Sequence, residues 1–338
     1  MRRRQFLASA AMLAGSAAIA RAPALAAGEA AKADASHAIP HLLDGFLKLP
    51  GKKSAQIDVD ERTAPWRVTS EPDAELFVGS CFKTFVLAAY LQEVEAGRLD
   101  ESEQLAVDDS VRSLVSPVLQ NLTGTTQARS ALEAMIAHSD NTATDVAMKR
   151  VTPARVRQFI ADAGLTKARI PDSTRRLFSY IAGAPQGEDL GWKAMEAIVE
   201  SKTPDTSKYR PALNDVESMA VPASEFVTYY KRALAGGYFQ KPETLTEFKR
   251  IQAMADAIAV VVPADTVAYM KGGSIDWNGF HCLAVAGQMI ARDTPVTFAL
   301  IYNWNDSDGD QKKLTEGFKD AVSDILGKVH KRLIEGRA

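Results

Sequence analysis

The sequence predicts a mixed α/β chain of the α+β kind: one antiparallel sheet flanked by helices, with an all-helical subdomain inserted into it. Three observations carry that expectation. Apolar, β-favouring stretches stand near the beginning, at 55–59 and 66–69, and again near the end, at 267–272, 280–288 and 296–303. Nearly everything between them has the 3.6-residue periodicity of helices. The first two late strands are joined by a segment containing Asp276 and Asn278-Gly279, a dipeptide that favours the tight turn of a hairpin. Strands from both ends of the chain then share a sheet, and the helical middle becomes an insertion.

Taken in order, Leu42, Leu43, Phe46 and Leu47 recur at helical spacing until Pro50-Gly51 stops them. A long helix is expected from Ser80, with Phe82, Phe85, Val86, Ala89, Tyr90 and Val94 on one face and Gly97 at its end. Further helices fit 126–137, 142–149 and 153–163, the last closed by Gly164. Residues 182–214 are rich in Gly and Pro and read as a long loop with one helix near 192–199. Helices return at 223–234 and 243–257, and an amphipathic helix over 314–333 closes the chain. The expected division is a sheet part of about 38–79 and 218–338, with a helical part of about 80–217.

The 338 residues are 46% hydrophobic and 24% charged, which excludes wholesale disorder and multiple membrane spans. The first 26 residues form a basic start, an Ala-rich apolar stretch and an A-x-A site at Ala24-Leu25-Ala26, the layout of a cleavable export signal. Arg3-Arg4 followed by Gln5, Phe6 and Leu7 resembles a twin-arginine signal. The mature chain, 27–338, is then expected in the periplasm or secreted, without a stable membrane anchor and as a monomer. Loss of Arg2, Arg3, Arg4 and Arg21 takes the formal charge from -2 to about -6, so nucleic acid is not an expected partner. Cys81 and Cys282 are too few to scaffold the fold and read either as small buried residues or as one disulfide. The five histidines form no cluster, and no metal or other cofactor is expected.

Three short motifs carry chemistry. Ser80-Cys81-Phe82-Lys83 sets a hydroxyl and an amine one helical turn apart, where an amine with a depressed pKa can take the hydroxyl proton. Such a pair arises by chance about once in a chain of this composition and carries little alone. Ser139-Asp140-Asn141 lies between two predicted helices and is also suited to cap the second. Lys271-Gly272-Gly273-Ser274 ends a predicted strand just before the hairpin turn.

In this order and setting, S-x-x-K, S-D-N and a K-T-G-like element resemble the penicillin-recognising serine enzymes, class A β-lactamases most closely. The resemblance runs from about Ile57 to the final helix and includes Phe77-Val78-Gly79-Ser80, Gly97-Arg98-Leu99, Ser116-Pro117-Val118 and the run from His138 to Asp145. It implies a sheet part and a helical part with the active site between them, and a small β-lactam or D-alanyl-type substrate. It implies Ser80 as acylated nucleophile, Lys83 as its base or proton relay, and Ser139 as proton donor to the leaving nitrogen. Asn141 would position the acyl side chain, Lys271 would set the electrostatics around Ser139 and the substrate carboxylate, and the N–H groups of Ser80 and Ser274 would hold the oxyanion. Gly273, Ser274 and His281 fall at substrate-facing positions, His281 where relatives often have an arginine.

The chain departs from the pattern at the carboxylate that activates the deacylating water, expected roughly 35 residues after the S-D-N serine. Thr174 and Asp172 stand in that stretch, with Glu188 and Asp189 further on in what reads as an insertion of some thirty residues. Gly272 removes the hydroxyl of the second K-T-G position, and Val115 stands where many relatives have an aromatic wall. The expected activity is a serine hydrolase opening β-lactams, with a D-alanyl peptidase, an esterase or a penicillin-binding sensor that does not turn over as alternatives.

Overall fold

The computed structural model describes residues 38–201 and 203–335. The expected export signal, residues 1–26, lies outside them. The first element, α1 (Asp44–Leu47), is a single turn. Next come β1 (Lys52–Val59), β2 (Trp66–Ser70) and a 3-10 turn, Gly79–Phe82, that runs straight into α2 (Lys83–Glu95). A two-stranded hairpin, β3 (Gln104–Val107) and β4 (Gly124–Gln127), precedes α3 (Ala128–Ala137), α4 (Asn141–Val151), α5 (Pro153–Asp162) and α6 (Thr174–Ile181). The segment read as a long loop contains α7 (Trp192–Glu200), as expected. Then follow α8 (Ala223–Leu234), α9 (Pro242–Gln252), the single-turn α10 (Ile258–Val261), and the strands β5 (Val267–Trp277), β6 (Phe280–Ala291) and β7 (Thr294–Asn305). α11 (Gln311–Glu335) ends the described chain. None of these helices is long and apolar enough to cross a membrane.

The main sheet has the order β2-β1-β7-β6-β5 with every pair antiparallel, so both ends of the sequence build it. The Asn278-Gly279 turn joins β5 to β6 with both residues at positive φ, +47° and +76°, as a two-residue turn of this kind requires. β7 is buried along nearly its whole length because it is central and helices cover the sheet. Tyr302 of β7 stacks on Phe318 of α11, and Phe46 of α1 meets the same ring edge-on.

α2 differs from its expected one-faced pattern. From Lys83 to Leu91 every residue is buried, so it is the central rod of the helical part and not an amphipathic cover. α3, α4, α5 and α9 pack around it. Phe85 stacks on Phe226 and meets Tyr229 edge-on, and Thr84 Oγ1 lies 2.9 Å from the Tyr229 hydroxyl, tying α2 to α8. The helical layer is therefore completed by α9 from beyond the expected 80–217 range.

The segment before Ser80 is pinned to the sheet by one side chain. Asn303 of β7 accepts from Phe77 N at 2.9 Å and donates to Phe77 O at 2.8 Å. Val78 N donates to Met219 O on the other side. Replacing Asn303 by Ala leaves the buried Phe77 N–H without its acceptor. Asn303→Ala should cost about 2–3 kcal/mol, read as a lower urea midpoint with an unchanged slope.

Candidate active site

The S-x-x-K pair spans the 3-10 turn and the first residue of α2. In that tighter helix, residues three apart eclipse, so Ser80 and Lys83 leave the backbone on the same side. The Lys83 N–H donates to Ser80 O, closing the turn. Its side chain is fully buried: Nζ lies 2.6 Å from Ser139 O, 2.6 Å from Asn141 Oδ1 and 3.4 Å from Ser139 Oγ. Burial pushes its pKa well below the usual lysine range, Lys271 pushes the same way, and the more distant Asp140 and Asp145 oppose them only in part. An amine in that state can accept a proton.

Ser139-Asp140-Asn141 performs both tasks read from it. Asp140 caps α4, accepting from Ala143 N at 2.7 Å, while its second oxygen accepts from Val118 N and Leu119 N, both at 2.8 Å. The loop carrying Leu114 and Val115 is thereby fastened to the α4 entrance, with Asn141 Nδ2 donating to Leu114 O and Asn141 N to Val115 O. Ser139 and Val115 both have φ near +58°, a conformation that costs a β-branched residue on the order of 1–3 kcal/mol and persists only where neighbours enforce it.

β5 passes against the 3-10 turn so closely that a Cβ on Gly273 would lie 2.1 Å from Val78 O and 2.8 Å from the N atoms of both Ser80 and Cys81. Only glycine fits there. At Gly272 a Cβ would lie 2.9 Å from the Ala257 methyl, which accounts for the lost hydroxyl of that position. Lys271 is buried beside this junction. Its Nζ donates to Gly272 O at 2.9 Å, and burial lowers its pKa to about 8 against the opposing pull of Cys81 and Asp256.

Ser80, Ser139, Asn141 and Ser274 line one cleft of about 490 Å³. Leu114, Val115, Phe178, Trp192, Trp277 and the carboxylate residues Glu196, Glu200 and Asp276 complete its walls, among others. A second hollow of about 240 Å³ adjoins it through Ser139 and Ser274 and is lined by Lys271, Gly272, Gly273, His138, Asp256 and Lys319, among others.

Three residues expected at the site stand elsewhere. Thr174 is wholly buried at the start of α6, with Oγ1 2.7 Å from Ser113 Oγ and 2.9 Å from Asp145 Oδ2. Its N–H and that of Arg175 also donate to Asp145, whose carboxyl is pushed up to about 7 by burial against those three bonds. Asp172 is held by Arg157 at 2.6 Å and Arg176 at 3.2 Å and lines a different hollow. His281 lies behind the cleft wall, with Nδ1 2.7 Å from Asp276, Nε2 2.7 Å from Asp306 and its ring stacked on Trp304. Burial pulls its pKa down, and the two carboxylates outweigh that and raise it. His281 acts on the cleft only through Asp276. Glu188 and Asp189 do not line it either, Asp189 being paired with Arg175. The cysteines are free, buried thiols: Cys81 Sγ lies 3.2 Å from Lys271 O and Cys282 Sγ 3.0 Å from Phe77 O. Glu196 and Glu200 were missed in the sequence, although Trp192, Glu196, Val199 and Glu200 share one helical face.

Comparison with known proteins agrees with this geometry. A profile described as the β-lactamase enzyme family matches residues 51–206. Among solved structures, a β-lactamase from Xanthomonas campestris pv. campestris superposes with a TM-score of 0.64 at 15% identity, covering 86% of this chain and 96% of that one. A protein described as PBP-A gives 0.64 at 16% identity, covering 87% and 97%. The chromosome-encoded β-lactamase of Vibrio parahaemolyticus gives 0.62 at 16% identity, covering 84% and 94%. No curated protein matches the sequence closely enough to count as a relative. At these identities the structures establish the fold, a β-lactamase-like sheet flanked by helices. The profile match over residues 51–206 and the ordered motifs support the class A β-lactamase family, with no glutamate in the 171–174 stretch where that pattern has its loop carboxylate.

The close approach at Gly273 generates a direct test. Gly273→Ala must displace either β5 or the 3-10 turn, and is expected to lower the melting temperature by several degrees. A variant with unchanged melting would contradict the packing described.

Proposed function

We propose that the protein is an exported serine hydrolase that opens β-lactams through an acyl-enzyme on Ser80. The observation that carries this reading is the buried Lys83 amine, held by Ser139 O and Asn141 Oδ1 one turn from a serine at the cleft wall. Neutral Lys83 takes the Ser80 proton as Oγ attacks the lactam carbonyl. The developing oxyanion is met by the N–H groups of Ser80 and Ser274 where β5 crosses the turn. The ring C–N bond then breaks, and the proton passes through Ser139 to the leaving nitrogen. Lys271 attracts the substrate carboxylate from the adjoining hollow, and Asn141 orients the acyl side chain.

The positions of Thr174 and Asp172 favour a second reading, in which the acyl-enzyme forms and is released slowly, as in a D-alanyl peptidase or a penicillin-binding sensor. Neither residue lines the cleft, so neither is positioned to activate water at Ser80. Intact mass against time, for the mature chain mixed with benzylpenicillin, separates the two. An adduct that forms and clears as hydrolysed drug accumulates supports a β-lactamase, and one that persists supports the second reading. Ser80→Ala is expected to abolish labelling, and Lys83→Ala to slow acylation by at least about 100-fold with the fold intact. Labelling that survives in Ser80→Ala would remove the nucleophile assigned here.

The acylation rate should also depend on pH in a defined way. Below its depressed pKa, Lys83 carries a proton and cannot serve as base, so the rate rises with pH through that value. Above about 8, Lys271 loses the charge that attracts a carboxylate, so the rate with a carboxylate-bearing substrate falls. For an ester lacking a carboxylate the alkaline fall should vanish, and its persistence would separate Lys271 from substrate binding.

A further inference from the structure

We infer that the Ser80 cleft selects acyl donors that carry an ammonium group on the acyl side, with Glu196 as the principal anchor and Glu200 in support. The inference rests on the reading of Ser80 as nucleophile for its substrate class, though not for the binding preference itself. Glu196, Glu200 and Asp276 line the cleft, Asp276 being already paired with His281 at 2.7 Å, and no Lys, Arg or His stands among its described lining residues. Glu196 is half-buried and has neither hydrogen bond nor ion pair with any described residue. Most other partly buried carboxylates here are engaged: Glu93 by Arg98 and Arg155, Asp172 by Arg157 and Arg176, Asp189 by Arg175.

The helix adds a separate argument. α7 ends at Glu200 with no basic residue in its last turn, so Glu200 sits where the helix already presents negative partial charge, with Glu196 one turn before it. Acidic side chains at that end repel the helix unless a cation answers them. A ligand ammonium entering the cleft supplies that cation. Trp192, Phe178 and Trp277 provide apolar and aromatic walls around it, and an aromatic face favours a cation over an anion. The cationic Lys271 and Lys319 belong to the adjoining hollow. The two sides of Ser139 and Ser274 thus differ in charge, and the substrate that fits has its carboxylate toward Lys271 and its ammonium toward α7.

Two measurements test this. Binding of phenylethylammonium and of phenylacetate, followed by the fluorescence of Trp192 and Trp277, needs no chemistry at Ser80. The ammonium is expected to bind at least about ten-fold more tightly, with an advantage that shrinks as salt rises. In the Glu196→Gln, Glu200→Gln double variant the ratio should fall toward one. Equal binding, or tighter binding of the carboxylate, overturns the inference. Labelling rates with aminobenzylpenicillin and benzylpenicillin, which differ by one amino group, should favour the former at least about five-fold, and the double variant should erase that ratio. If neither compound labels Ser80, the acyl-enzyme reading fails and the binding ratio still decides the anchor. A double variant that keeps both ratios but releases the acyl group more slowly overturns the anchor and makes these carboxylates the water-activating base.

Discussion

A fully buried lysine amine with no carboxylate partner among the described residues is the constraint around which this molecule is arranged. Lys83 is surrounded by oxygen acceptors that carry no formal charge: a main-chain carbonyl, a side-chain amide and, more distantly, a hydroxyl. A directly paired carboxylate would hold the proton on the amine, whereas neutral acceptors leave burial to lower the pKa. Keeping such a group dry requires a helix buried all round, which is what α2 is, and a rigid partner for its tip, which the 139–141 segment supplies.

That rigidity comes from Asp140. It contributes nothing to the cleft surface, yet it holds the α4 entrance and the 118–119 backbone in one grip. The left-handed backbone at Val115 and Ser139 is a consequence of this fastening, because neither residue favours that conformation unaided. Around it stand two hydroxyl pairs, Ser116 Oγ 2.7 Å from Thr142 Oγ1 and Ser113 Oγ 2.7 Å from Thr174 Oγ1, joined through the Ser113 main chain, whose N–H donates to Thr142 Oγ1 and whose carbonyl accepts from Ser116 Oγ. Thr174, read in sequence as a site residue, is better described as part of this support.

What could be read in the sequence follows from the range of the interactions involved. The sheet strands, the Asn278-Gly279 turn, most helices and the three motifs depend on local periodicity or on residues a few positions apart, and all are recognisable in one dimension. α6 was not, because its start is dictated by Asp145, 29 residues away, which satisfies the N–H groups of Thr174 and Arg175. The β3–β4 hairpin was not, since each strand has only four residues and β4 is polar and exposed. Asp172 and Thr174 were placed at the site by spacing from Ser139. Spacing does not say which way a side chain turns, and the structure turns Asp172 toward Arg157 and Arg176 and Thr174 toward Asp145. The inserted segment then returns across the cleft as α7, a tertiary event that no local pattern announces.

Where the family pattern has a loop carboxylate close to the nucleophile, this chain has a buried hydroxyl beneath the floor and, from α7, two carboxylates in the cleft wall. These arrangements are not equivalent. A general base for water must be confined against the acyl carbon, and confinement comes from hydrogen-bonded neighbours such as those that fix Asp145 or Glu93. Glu196 has none among the described residues, so its position is set only by the helix that carries it. A carboxylate so weakly constrained is poorly suited to hold a water in line, but it suffices to attract a charge, because Coulombic attraction tolerates an ångström of play that proton transfer does not. Under the proposed acyl-enzyme reading, the same replacement weakens release and adds selectivity to acylation, which is why the two have to be measured separately.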